Sequence, residues 1–101
     1  NNGLIPQLPA DAVIETNCVI GKDGATPLQD TDVPESILGL IEQVKAYERL
    51  TIEAAISGDR TTALLAFLNN PLVHDVRDAR MALDEMLEAN KEYLSNFFDK
   101  E

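Results

Sequence analysis

Ile37, Leu40, Ile41, Val44, Tyr47, Leu50, Thr51 and Ala54 recur at helical spacing, and this run constrains the fold more than any other feature. Asp32 is placed to cap it, with Glu35 in capping-box position and Pro34 in the first turn, so a helix is expected from about Val33. It extends to Ser57, where Gly58 supplies a natural stop. An apolar stripe of that length has to be covered by something else.

Two further helices follow. Asp59 caps a shorter one through Ala63, Leu64, Phe67 and Leu68, which Asn69-Asn70-Pro71 ends because the residue before proline disfavours helical geometry. Asp75 caps the third, whose stripe is Ala79, Leu83, Met86, Leu87, Leu94 and Phe97, interrupted by Asn90. Two long helices joined through a short one suit antiparallel packing. No segment repeats.

The residues before Val33 read differently. Asn1-Asn2-Gly3 with Pro6 and Pro9 forms an irregular, turn-rich entry. Ala12 to Ile20 is rich in β-branched residues and is a strand candidate, with Ile14, Thr16, Cys18 and Ile20 on one face and Val13, Glu15, Asn17 and Val19 on the other. Gly21-Lys22-Asp23-Gly24 is a tight-turn signal, and Ala25 to Leu28 is a short return strand with Pro27 at an edge or end. The expected fold is therefore α+β and mainly α: extended entry and hairpin over 1–32, then three helices over 33–98.

Charge and composition exclude several functions. Eighteen acidic against eight basic residues leave a net charge of −10, with no basic stripe for a nucleic-acid backbone or an anionic membrane surface. No apolar run approaches a membrane span, and no signal peptide opens the chain. A single cysteine forms no internal disulfide, which suits a reducing cytoplasm.

Residues that could carry chemistry are few and scattered. There is no GxGxxG or Walker loop to cradle a nucleotide. Zinc chemistry calls for clustered His and Cys, whereas Cys18 and His74 are the lone members of their types. Cys18 reads as a small buried filler of a strand, and His74 as an exposed loop residue. A glycosidase needs two carboxylates across a scissile bond. Asp84, Glu85, Glu88 and Glu92 instead read as one solvated helix face, and Glu42 and Glu48 as the same on the first helix. Arg49 and Arg60 could grip a phosphate but read as surface ion-pair partners. Met81, Met86, Phe97 and Phe98 read as core. No catalytic, cofactor-binding or metal-binding residue is expected in this chain.

The ordered blocks do resemble a family. Asn1-Asn-Gly-Leu-Ile-Pro-Gln-Leu-Pro-Ala-Asp-Ala-Val-Ile-Glu15 is similar to the N-x-G-x-I-x-x-L-P-x-D-x-V-V-E stretch of glycoside hydrolase family 4. Gln43 to Ala55 resembles the helix that follows it there, and Asn70 to Val73 and Leu83 to Leu94 resemble the closing segments. Within the family, the runs Glu15 to Ile20 and Lys45 to Arg49 look most like bacterial 6-phospho-β-glucosidases.

The resemblance implies the C-terminal part of a larger cytoplasmic enzyme with a lactate/malate-dehydrogenase-like fold, an expectation that fits a chain opening at Asn1 rather than methionine. It implies an enzyme that uses NAD and a divalent metal, usually manganese, on phosphorylated β-glucosides. The sugar is oxidised at C3, the aglycone is eliminated, and water is added; this is the NAD-dependent exception to the two-carboxylate scheme. The family's nucleotide-binding glycines, metal-binding Cys and His, and catalytic Tyr lie upstream of the region matched. Neither Cys18 nor Tyr47 and Tyr93 stand in those contexts, so the piece alone is expected to be inactive and to bind no cofactor. Its expected partners are the remainder of the enzyme and further copies in a homo-oligomer. A free-standing acidic helical interaction module is the competing reading, and an α-glycosidase of the same family a third.

Overall fold

The computed structural model describes residues 1–29 and 32–98. A two-stranded antiparallel hairpin, β1 (Cys18–Gly21) and β2 (Gly24–Pro27), precedes three helices, α1 (Glu35–Ser57), α2 (Arg60–Asn69) and α3 (Val76–Ala89). Two short 3-10 turns, Lys91–Tyr93 and Ser95–Phe97, follow α3. The α+β, mainly helical expectation holds. The chain divides into two units within α1, Asn1–Glu42 and Gln43–Glu101.

The first unit starts with three tight turns in succession. Asn2 and Gly3 both have positive φ, 48° and 84°, and the Leu4 amide donates to the Asn1 carbonyl at 3.0 Å. Asn-Gly is the pair that adopts this doubly left-handed turn most readily. The Leu8 amide then donates to the Ile5 carbonyl and the Ala12 amide to the Pro9 carbonyl, each near 3 Å. Asn1 ties the turns together. Its side-chain amide donates to the carbonyls of Ile5, Leu8 and Pro9, its Oδ1 accepts from the Ile5 amide, and its main-chain nitrogen donates to Ala12. The backbone of an irregular segment thus gains the partners that a helix or sheet would otherwise provide. Ile5, Leu8 and Ala12 are buried as a result, with Ile14, Val33 and Ile41 against them.

The strand is shorter than Ala12 to Ile20. Residues 12–17 alternate in exposure without pairing, with Ala12, Ile14 and Thr16 less exposed than Val13, Glu15 and Asn17. Pairing begins only at Cys18, opposite Pro27, and runs through Val19–Thr26 and Ile20–Ala25 to Gly21–Gly24. Pro27 sits at the strand end, where its missing donor costs least. Gly24, at φ +106°, takes the strained position of the turn, so Lys22 and Asp23 do not need positive φ. Residues 30–31 of the expected extended stretch lie outside the described residues.

The first helix also begins later than Val33. The Pro34 carbonyl accepts from Ile37 and Leu38, and Glu35 is the first helical residue rather than the third residue of a capping box at Asp32. Its carboxylate still lies in the first turn, where the helix dipole favours it. At the other end, Gly58 stops the helix as expected, at φ +65° with its amide donating to Ala54.

The second unit packs the end of α1 with α2, α3 and the 3-10 turns. Both expected aspartate caps are present. Asp59 accepts from the Thr62 amide at 2.7 Å, and Asp75 from the amides of Arg77 and Asp78. The third helix, however, stops at Ala89 instead of continuing towards Phe98. The Asn90 side chain donates to the Met86 carbonyl at 2.8 Å, and this local bond competes with helix continuation. Tighter 3-10 bonds follow, Tyr93 to Asn90 and Phe97 to Leu94 among them. The change of path brings Phe97 into a core of Ala54, Ala63, Leu83 and Leu87.

Candidate functional site

The residues that could do chemistry are not brought together. Cys18 is exposed, which corrects the expectation of a buried filler: every residue of β1 and β2 is exposed, because a two-stranded hairpin has no layer of its own to cover either face. His74 lies exposed in the α2–α3 loop, as expected. Glu42, Glu48, Asp84, Glu85, Glu88 and Glu92 are all exposed. Arg60 makes the expected ion pair, at 3.5 Å from Asp84, and its guanidinium also lies over the Phe98 ring. Lys91 covers the same ring, with its ammonium 4.9 Å from the centroid. Among the described residues, no group of three His, Cys, Asp or Glu stands close enough to hold a metal. No helix among them is long and apolar enough to cross a membrane.

Met81 and Met86 are a second correction. They are 52% and 54% exposed, while Phe97, expected in the same apolar set, is buried. α3 turns its Ala79–Leu83–Leu87 line inward, and both methionines fall beside that line.

One concave feature was not anticipated from the sequence. In the second unit, an apolar groove of ≈ 320 Å³ runs between α1, α2 and α3. Its floor is small, Ala54, Ala63 and Ala66, and Phe67, Met86 and Phe97 are among its walls. Tyr47, Thr51 and Asn70 are its polar members. The signal was present as alanines on neighbouring helices, but alanine is also the best helix former, so it reads as propensity before it reads as a hollow. The groove has neither paired carboxylates nor a nucleophile with a base. Its lining is otherwise apolar.

Residues 1–73 match the model of the family 4 glycosyl hydrolase C-terminal domain. The chain belongs to glycosyl hydrolase family 4. It is 50% identical over 100 residues to a probable 6-phospho-β-glucosidase of Bacillus subtilis, covering 99% of this chain and 23% of that protein. The solved structure of the Thermotoga maritima 6-phospho-β-glucosidase with NAD and glucose-6-phosphate superposes with a TM-score of 0.79 at 44% identity, over 93% of this chain and 23% of the other. A 6-phospho-α-glucosidase from gut microorganisms, solved with NAD and Mn2+, gives 0.82 at 35% identity, over 90% of this chain and 21% of that one. The chain thus spans less than a quarter of the length of these family 4 relatives. The α- and the β-glucosidase structures thus superpose on this backbone about equally well.

Proposed function

We infer that this chain is the C-terminal structural and interface portion of an NAD- and divalent-metal-dependent 6-phospho-β-glucosidase, a cytoplasmic homo-oligomer acting on phosphorylated β-glucosides. The observation that carries the reading is 50% identity to the Bacillus subtilis protein across 99% of the chain. The residues present do not fit either cofactor: there is no glycine-rich nucleotide loop, and no cluster of metal ligands among the described residues. The chemistry of the whole enzyme is assigned to residues outside this chain.

What the chain supplies is surface. Val19 and Ile20 on the hairpin, Ile52 and Ile56 on α1, and Leu65 on α2 are each more than two-fifths exposed. Burying such side chains against the rest of the enzyme or a second subunit is favourable by about 25 cal/mol per Å². The hairpin would extend a sheet of the larger enzyme, since two strands alone are marginally stable in water.

The α-glucosidase reading is supported by the backbone match to the gut-microbial structure. Assay of the whole enzyme with NAD and Mn2+ on aryl 6-phospho-β- and 6-phospho-α-glucosides separates the two. Turnover of the β-linked compound is expected, and turnover of the α-linked one alone moves the protein to the other class. Hydrolysis by the isolated chain would overturn the structural role.

A further inference from the structure

We propose that Asn2 is a site of spontaneous deamidation and isoaspartate formation, and that this covalent change disables the turn that organises the first unit. The reaction needs a main-chain nitrogen to reach the side-chain amide of the residue before it, and exposure, an unhindered neighbour and an unengaged amide favour it here. Asn2 is exposed, and its side chain takes no part in the hydrogen bonds that tie the loop together around Asn1. The following residue is Gly3, and a β-carbon built there would meet nothing within 4 Å. Its amide donates to no carbonyl among the described residues, whereas those of Asn2 and Leu4 on either side are engaged with Ala10 and Asn1. Every other asparagine precedes a bulkier residue or, at Asn70, a proline with no N–H.

The Gly3 nitrogen attacks Asn2 Cγ; a C–N bond forms, the nitrogen loses its proton, and the side-chain nitrogen leaves as ammonia. Water then opens the five-membered imide at either carbonyl, giving aspartate or isoaspartate, with no oxidant or second reactant required. The isoaspartate product carries an extra methylene in the main chain. The spacing that lets Leu4 reach Asn1, and Asn2 reach Ala10, is then lost.

The test is incubation of the full-length enzyme at mildly alkaline pH, followed by peptide mass spectrometry with isoaspartate detection. A synthetic peptide spanning residues 1–12 provides the unfolded reference. The expected result is the mass gain of NH replaced by O at Asn2 before any other asparagine of this region, with isoaspartate among the products and loss of the gain in Asn2→Gln. An Asn2 that stays intact while the peptide converts completely, or a gain that appears first at another of these asparagines, overturns the proposal.

Discussion

Gly58 lies so close to Asn96 that a β-carbon on the glycine would be 1.9 Å from the Asn96 carbonyl oxygen. The two are also linked through α1, because the Asn96 side-chain amide donates to the Ala55 carbonyl at 2.6 Å. The stop of the first helix is therefore also the seat of the C-terminal 3-10 turn. Gly58→Ala combines the left-handed penalty with overlap against main chain, which has no rotamer to yield. A loss of about 3 kcal/mol is expected. Asn96→Ala removes one exposed hydrogen bond and should cost about 1 kcal/mol. Urea midpoints of the two variants check the difference in size; equal losses would show that the close approach is relieved cheaply.

The aspartate caps make a second pair of expectations. Asp59 accepts from both the amide and the hydroxyl of Thr62, and Asp75 from two successive amides. Asp59→Ala and Asp75→Ala should each lower stability by about 1 kcal/mol. Asp84→Asn breaks only the exposed pair with Arg60 and should cost less than about 0.5 kcal/mol. Thermal unfolding of the three variants under one buffer gives the ranking.

Asn1→Ala removes the side chain on which the three opening turns converge. The carbonyls of Ile5, Leu8 and Pro9 and the Ile5 amide lose their shared partner, a loss of about 2 kcal/mol. Hydrogen exchange should accelerate at Ile5, Leu8 and Ala12 and remain unchanged in α3. A uniform acceleration would mean that the loop is not a separate cooperative element.

Cys18 provides a probe of the hairpin. Its thiol is exposed in this chain, so a water-soluble thiol reagent should modify it rapidly. In the whole enzyme, with the hairpin joined to a larger sheet, modification should slow by more than about tenfold. Equal rates would remove the sheet-extending role. Cys18→Ser should leave turnover of the whole enzyme unchanged, since the thiol has no base beside it.

Several elements were legible from short stretches of sequence, because their signals are local. The caps at Asp59 and Asp75, the stop at Gly58 and the break at Asn70-Pro71 each act within a few residues along the chain. Hydrogen-bond reach and backbone sterics decide them before any tertiary contact forms. Burial, by contrast, followed from packing between segments distant in the chain. Cys18, Met81 and Met86 have the composition of core residues and lie exposed, because their neighbours in space do not cover them. Asn1 looked like part of a loose entry and holds three turns together, while Asn90 ends a helix that its flanking periodicity would have continued. The close fit of Gly58 against Asn96 is of this second kind: the glycine was readable as a helix stop, but the carbonyl that forbids a side chain there comes from the far end of the same unit.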